Sequence, residues 1–586
     1  QDQQGRRLAE GPLALEAARE ALAEGKLLAV KGIGGFQLAC RADLEGPVAE
    51  LRRRKVRPTK PFALMVPNLE AANRLVFLTH EEKALLSSSR APVLLAPRRS
   101  SAPCAAAIAP GLEDLGVMAP TTPLHVELFR NAPFESLVMT SGNVSDEPIS
   151  RGNREASDRL GRIADLFLLH DRDVVRRVDD TVMRTGRDGP HMVRRSRGWV
   201  PDPLALPLST SEPVLALGGY LQVTACLAVN DEAFLSQHVG DLDTSSSRAF
   251  LSEVVTGLED FLQAEGRIIV VDGHPDYPST WLGEDMAGRR SCRLLRLQHH
   301  VAHAASVLAE NARFPAPGER AAAVVLDGTG WGPDGVAWGA EWLVLNGDLK
   351  ASRVAHMEPL PLVGGEAAVR EPWRVLASAL VREGAGDLWR RLPIAPLVEE
   401  SAYSAVAQLS LKSAWPLATG AGRLFEAAGA LLGLVAVNGW EGEAAARLEA
   451  LAASCESEVE PWRECSLGDG DLLSGSSLLA CAAQRFVSGE RAASVAAGFH
   501  VTFCRLAAEL TLRVVPPEVK TVALGGGCMV NRILRNGLED SLRDLGFTPL
   551  LPRRVPPGDG GLAYGQAVLG AVSCGRGVKP ILEGVD

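Results

Sequence analysis

Apolar and polar positions along the chain switch repeatedly between a helical period and a strand-like period. Ala14 to Glu24 carries apolar residues at helical spacing and is closed by Gly25 and Lys26. Leu27 to Lys31 then reads as a short strand running into the glycine turn Gly32–Phe36. A basic run, Leu51 to Lys60, leads directly into the apolar stretch Pro61–Met65, and Val138-Met139 runs into Thr140-Ser141-Gly142-Asn143. Further on, Val214–Gly219, Ala225–Val229 and Ala233–Gln237 predict three short strands joined by turns. A helix near Ser245 to Ala264, a strand over Arg267–Val271 and a helix over His299–Glu310 follow. A second cycle of the pattern begins near Leu326, and an alanine-rich helix runs from Leu562 to about Val572. This order predicts an α/β protein: a mixed α/β domain over 12–203, a linker rich in proline and hydroxyl residues over 204–213, and a second domain over 214–586.

The helix beginning at Gln298 carries His299, His300 and His303. Residues four apart lie on one helix face, so His299 and His303 form a pair of imidazoles shaped for a transition metal. The glutamate that zincin proteases place between such histidines is missing, which argues against a protease. Ala321–Leu326 predicts a buried strand ending in Asp327-Gly328-Thr329-Gly330, and Asp559 sits in Pro556-Pro557-Gly558-Asp559-Gly560-Gly561 ahead of the last alanine-rich helix. We read His299, His303 and Asp559 as the ligand set, with Asp327 close by. Two histidines and a carboxylate suit Zn2+ or Fe2+ equally, so the metal stays open between them.

Length and composition refine this picture. A chain of 586 residues holds several cores, and its 46% hydrophobic and 23% charged residues fit a globular protein. No apolar run reaches membrane-spanning length and the first residues lack a signal peptide's apolar core, so a cytoplasmic protein is expected. The chain starts at Gln1, and we read it as a fragment lacking a natural N-terminal part. The ten cysteines include no CxxC pair, against a zinc ribbon or disulfide framework. A net charge of −10 argues against a nucleic-acid-coating protein.

In the first domain, anion-binding groups are dense. They include Lys31, Lys55, Arg57 and Lys60, the strand-end residues Thr140, Ser141 and Asn143, and Arg194-Arg195-Ser196-Arg197. Fixed cations beside a strand suit a triphosphate whose charge must be offset during transfer. In the second domain, Gly218-Gly219, the Asp327–Gly330 turn and Gly525-Gly526-Gly527 through Asn531 are strand-to-glycine turns that let backbone N–H groups approach phosphates.

Six motifs in order, KGIGGFQLAC, LRRRKVRPTKPFALM, LGVMAPTTPLH, VMTSGNVSDEPI, RRVDDTVMR and RRSRGWVPDP, closely resemble the YrdC-like domain of the hydrogenase-maturation carbamoyltransferase family, HypF. With QHHVAHAASVLAE, LDGTGWGPDGVAWGAEWL, GRLFEAAGALLG, LGGGCMVNRIL and PPGDGGLAYGQA, the second domain resembles that family's TsaD-like domain. The resemblance implies a YrdC-like twisted mixed α/β domain followed by a duplicated actin/Hsp70-like domain with lobes of about 214–345 and 346–586. It implies that ATP with Mg2+ and carbamate derived from carbamoyl phosphate give carbamoyl adenylate. The carbamoyl group then passes to the C-terminal cysteine of HypE, a precursor of hydrogenase cyanide ligands. It further implies catalytic roles for Lys55, Arg57, Lys60 and Asp327, and nucleotide contacts from Lys31, Thr140, Ser141, Asn143, Arg195 and Ser196. A second nucleotide site would use Gly218, Gly219, Asp327, Gly328, Thr329, Gly330, Glu426, Gly525, Gly526, Gly527 and Asn531.

The chain departs from the family pattern at several points. Thr121 stands for the usual tyrosine, Gln222 for lysine, Val301 for the middle histidine and Glu426 for aspartate. The family's acylphosphatase-like domain and zinc fingers are absent from these residues. A small-molecule O-carbamoyltransferase has the two domains in the opposite order, and a tRNA threonylcarbamoyl enzyme normally separates them. The remaining alternative is an inactive nucleotide-binding scaffold, kept open by Gln222 and Glu426.

Overall fold

The computed structural model describes residues 1–144, 147–412, 415–468 and 470–583; Ser145 and Asp146 of the VMTSGNVSDEPI motif lie outside the described residues. Contacts divide the chain into two compact units, one of residues 1–202, 220–224 and 235–258 and the other of 203–219, 225–234 and 259–586.

The first unit is built on a nine-stranded mixed sheet. Its central strands, Leu28–Lys31, Phe36–Arg41 and Leu137–Ser141, pair antiparallel, with Gln37 opposite Ser141. Both sheet faces are covered, so these strands are nearly continuously buried rather than alternating. The helix Glu45–Lys55 ends on Val56, a β-branched residue in the left-handed region at φ 52°. That turn redirects the chain after the basic helix, so that Arg57 reaches Thr140 at the strand end and donates to the Lys60 carbonyl.

The second unit repeats one design twice. In the first sheet, Leu204–Ala216 pairs antiparallel with Cys226–Leu235 and parallel with Ile268–Asp272, which pairs parallel with Arg293–Leu297. In the second, Arg320–Gly330 pairs antiparallel with Trp338–Asn346 and parallel with Thr521–Gly525, which pairs parallel with Thr548–Leu550. The fold is the mixed α/β, actin/Hsp70-type duplication expected from the sequence.

Details of that expectation change. Residues 204–213, read as a linker, form most of a strand, because Leu204, Leu206 and Thr210 are buried between exposed neighbours and Pro207 and Pro213 fall where the register with its partner shifts. The stretches 225–229 and 233–237, read as two strands, largely form the single strand Cys226–Leu235. A lobe boundary at 345/346 falls inside one sheet, since Trp338–Asn346 also pairs with Lys350–Met357.

The helices His299–Glu310 and Leu562–Arg576 are buried on nearly all sides and cross at close range. A Cβ at Gly565 would lie 1.9 Å from the Ala302 carbonyl oxygen, so only glycine permits this crossing. Among the described residues one helix, Ala492–Val514, is long and apolar enough to cross a membrane, and 72% of that window is buried within the protein.

Candidate metal centre and anion sites

Four side chains from distant segments meet at the start of the histidine helix. Gln298 caps it by accepting the Val301 N–H at 2.9 Å, which fixes where His299 and His303 begin. His299 Nε2 and His303 Nε2 lie 3.1 Å apart. Asp327 Oδ2 is 3.6 Å from His299 Nε2 and 3.2 Å from His303 Nε2, and Asp559 Oδ1 is 3.4 Å from each. One ligand atom from each of the four residues lies within 4.8 Å of all the others. Asp327, expected nearby, therefore stands in the cluster as a fourth donor.

Backbone N–H groups hold the Asp327 carboxylate. Asp327 Oδ1 accepts its neighbour's N–H, Gly328, at 2.8 Å and that of Gly527 at 3.3 Å, leaving the buried Oδ2 without a hydrogen-bond partner and facing the imidazoles. Gly219 closes another side: a Cβ there would stand 3.4 Å from Asp559 Oδ2 and 3.8 Å from His299 Cε1. Gly218 is clasped by Gln566, which accepts its N–H at 2.9 Å and donates to its carbonyl at 3.1 Å. Two imidazole nitrogens and two carboxylate oxygens around one point, one oxygen otherwise unsatisfied, fit Zn2+ or Fe2+.

The electrostatics agree with this fit. Burial alone would lower His299, but the Asp559 and Asp272 carboxylates raise it well above an ordinary imidazole. His303 is raised by Asp327 and Asp559 against the same burial. Burial would raise the two carboxyls, yet the imidazoles hold Asp327 well below and Asp559 below the usual carboxylate range. A cation must therefore displace protons from His299 and His303. Zinc uptake by the full chain near neutral pH is expected to release protons, and apparent affinity should rise with pH above the ordinary imidazole range. A pH-indicator titration reads both; an affinity independent of pH would remove the imidazoles from the ligand set.

Glu310, at the other end of the same helix, accepts the Arg553 backbone N–H at 3.0 Å and that of Arg554, while Asn311 Nδ2 donates to the Leu551 carbonyl at 3.2 Å. Burial raises the Glu310 carboxyl against those donors. The helix thus holds the loop leading to Asp559. Glu310→Ala is expected to lower thermal stability by about 1–2 kcal/mol and to weaken metal binding as well. Calorimetry with a zinc titration checks both, and unchanged affinity would show that the loop keeps Asp559 in place unaided.

The first unit gathers a second group. Lys55 is 3% exposed, and its Nζ donates to the Ser141 carbonyl at 2.7 Å, the Asn143 carbonyl at 2.8 Å and Asn143 Oδ1 at 2.7 Å. Ser141 Oγ donates to the same Oδ1 at 2.7 Å. Arg57 reaches Thr140 Oγ1 at 3.5 Å, and burial with Arg52 and Arg194 nearby brings its pKa down to about 10, leaving it charged at neutral pH. Asp179 lies among these cations, its carboxyl raised by burial against Arg194, Lys55 and Lys60. Arg52, from the same basic run, instead gives its N–H groups to the carbonyls of Ala107, Arg57, Pro58, Lys60 and Ile108.

Other expected residues are placed differently. Lys31 is buried and donates to the His170 carbonyl at 3.1 Å. Arg195 and Ser196 are turned into the protein, the former donating to the Asp202 carbonyl at 2.9 Å and the latter's N–H to Thr181 Oγ1 at 2.8 Å. The charge beside Arg57 comes from Arg194, because successive residues at a strand end face opposite ways. Asn531 caps the helix Arg532–Asp544 by accepting the Leu534 N–H at 3.0 Å, and its Nδ2 lies 3.0 Å from His500 Nε2. Its side chain is committed to the fold. Gly328, Thr329 and Gly330, read as a turn, instead continue the strand Arg320–Gly330, whose register with its antiparallel partner shifts between Leu326 and Gly330, while Gly525 ends its strand and Gly526, at φ 88°, begins the turn after it.

Comparison with known proteins separates the readings. Residues 20–196 match the Sua5/YciO/YrdC family, described as telomere recombination. Residues 209–310 match the HypF Kae1-like domain, and residues 323–566 match the second subdomain of the carbamoyltransferase Kae1-like domain. Carbamoyltransferase HypF2 of Cupriavidus necator is 40% identical over 95% of this chain and 72% of its own length. Carbamoyltransferase HypF of Rhodobacter capsulatus is 41% identical over 95% of this chain and 73% of its own. The chain belongs to the HypF carbamoyltransferase family. A crystal structure of full-length HypF in its phosphate- and nucleotide-bound form superposes with a TM-score of 0.87 and 34% identity, over 95% of this chain and 86% of that one.

The departures from the HypF pattern now have surroundings. Thr121 Oγ1 lies 3.1 Å from His125 Nδ1, and burial brings that imidazole down to about 4. Gln222 adopts a left-handed φ of 46° and donates its backbone N–H to Asp241 Oδ1 at 2.7 Å. Glu426 is 1% exposed, pairs with Arg423 at 2.9 Å and accepts from Asn438 at 3.0 Å; burial raises its carboxyl against Arg423. The longer side chain forms a buried ion pair with Arg423 where the resemblance led us to expect aspartate.

Sequence reading missed Asp272, whose Oδ2 lies 2.8 Å from His299 Nδ1, and it missed Asp179. A signal for Asp272 was present. Ile269-Val270-Val271-Asp272-Gly273 repeats the apolar-strand, Asp, Gly pattern of Val324-Val325-Leu326-Asp327-Gly328.

Proposed function

We propose that this HypF family member uses ATP with Mg2+ to make carbamoyl adenylate in its YrdC-like part and transfers the carbamoyl group to the C-terminal cysteine of HypE in its Kae1-like part. The observation that carries the reading is the cluster His299, His303, Asp327 and Asp559, flanked by Gly218-Gly219, the strand end Asp327–Gly330 and the turn at Gly525–Gly527. In the first reaction, a carbamate oxygen attacks the α-phosphorus of ATP, a new P–O bond forms and pyrophosphate leaves. Arg57, Lys60 and Arg194 offset the charge on the phosphates, while Lys55 holds the Ser141–Asn143 turn in shape.

In the second reaction, the acceptor thiolate attacks the carbamoyl carbon, a C–S bond replaces the C–O bond and AMP leaves. His299, His303, Asp327 and Asp559 would hold a Zn2+ or Fe2+ ion, which when bound supplies a Lewis acid to polarise the carbamoyl oxygen. AMP leaves as the new C–S bond forms, and the buried imidazole pair keeps water from the reacting carbon.

The test supplies carbamoyl phosphate, or carbamate directly, to the full chain with ATP and follows pyrophosphate and AMP, then adds HypE and looks for carbamoylated C-terminal cysteine by mass spectrometry. Pyrophosphate formation with carbamate and a carbamoylated cysteine are expected. A folded, zinc-loaded chain that forms neither product from carbamate would overturn the reading in favour of a nucleotide-binding scaffold.

A further inference from the structure

Asp272 ends the strand Ile268–Asp272 and its side chain is fully buried. Both of its oxygens are engaged: Oδ1 accepts the His274 backbone N–H at 2.9 Å, and Oδ2 lies 2.8 Å from His299 Nδ1. Sheet register places Asp272 opposite Leu297, two residues before His299, so the carboxylate and the start of the histidine helix are set by the same strand pairing. The following turn is packed as well, since a Cβ at Gly273 would stand 2.7 Å from the Trp331 ring. Asp272 sits on the side of the His299 ring away from the four-donor cluster, and so it is not a fifth ligand.

We propose that Asp272 is the positioning residue of the metal centre: it makes Nε2 the metal-binding atom of His299 and fixes its direction. The inference rests on the reading of His299, His303, Asp327 and Asp559 as that centre. A neutral imidazole has one donor and one acceptor nitrogen, whereas an ionised carboxylate only accepts. Facing Asp272, Nδ1 must carry the hydrogen. The lone pair is then left on Nε2, the atom 3.1 Å from His303 Nε2 and 3.4 Å from Asp559 Oδ1. A carboxylate behind a metal-binding histidine also makes the ring a stronger donor.

Asp272→Asn tests this at constant volume. An amide has one acceptor and one donor end, so it cannot accept from both His274 N–H and His299 Nδ1–H. One contact is lost, or His299 is forced to carry its hydrogen on Nε2, towards the other ligands. The full chain and the Asp272→Asn, His299→Ala and doubly substituted forms would be titrated with Zn2+ against a chromophoric chelator, with thermal midpoints recorded before metal is added.

Zinc affinity is expected to fall roughly 10- to 100-fold in Asp272→Asn. The same substitution should cost nothing further once His299 is alanine. A residue that merely ties strand to helix would lower the midpoint, leave zinc affinity within twofold, and show additive losses in the double variant; that result overturns the inference. An unsubstituted chain that binds no zinc and no Fe2+ would instead overturn the metal centre itself. Should Asp272→Asn not fold, nitrogen NMR of the unsubstituted zinc-loaded chain decides the matter. Hydrogen on His299 Nδ1 with metal on Nε2 is expected, and the reverse arrangement would rule the proposal out.

Discussion

His303→Ala is expected to remove carbamoyl transfer to a protein thiol by roughly 100-fold or more while carbamate-dependent pyrophosphate formation continues. His303 is 1% exposed and its Nε2 lies within 3.4 Å of donor atoms on His299, Asp327 and Asp559, so its loss opens the cluster from the middle. The remaining three donors would face a void, and Asp327 and Asp559 would keep only His299 of the two imidazoles that hold their carboxyls below the usual range. Two buried carboxylates left close together repel, which weakens any residual cation site in geometry even as it adds charge. The measurement is zinc or iron content by elemental analysis, with transfer and pyrophosphate formation assayed on the same preparation. Loss of both reactions together would point to global unfolding, and retention of transfer would exclude the cluster from that step.

The second large effect separates two lysines that stand close in sequence. Lys60→Ala is expected to cut carbamate-dependent pyrophosphate formation by roughly 100-fold with little change in thermal midpoint, because Lys60 is exposed beside the Arg57–Arg194 cluster. Lys55→Ala acts differently. Its buried ammonium is bonded to two carbonyls and the Asn143 amide oxygen, so its removal takes a charged donor from the Ser141 and Asn143 carbonyls. A stability loss of about 2–4 kcal/mol is expected, together with the loss of activity that follows from a misshapen Ser141–Asn143 turn. Thermal unfolding and initial rates, measured on both variants, distinguish the roles. A destabilised Lys60→Ala or a fully stable Lys55→Ala would reverse the assignment.

The basic run itself shows how far local pattern reaches. Sequence placed its cations on a helix end beside an apolar strand, and the helix Glu45–Lys55 and strand Ala63–Met65 are there. It did not say that Arg52 would be spent on backbone carbonyls, that Arg53 and Arg54 would pair with Glu50, or that Lys55 and Lys60 would gather with Arg194 around Asp179. Composition marks an anion-binding surface, whereas the direction of each side chain depends on the helix phase and on what packs against it.

What the sequence determined alone is the content of short-range geometry. Helical spacing puts His299 and His303 on one face, apolar strands running into Asp-Gly put carboxylates near the ends of interior strands, and the strand cycles give an α/β fold whose duplication the family resemblance implied. Tertiary structure decided which of these ends meet. Asp327 and Asp559 join the histidines, and Asp272 stands behind His299, because two parallel strand pairings and one close helix crossing bring three remote segments to a single point. The same non-local packing commits Asn531 to a helix cap and turns Arg195 inward. Period and propensity are properties of neighbours along the chain; the partner of a buried polar group is set by registers and crossings between segments that are remote in sequence.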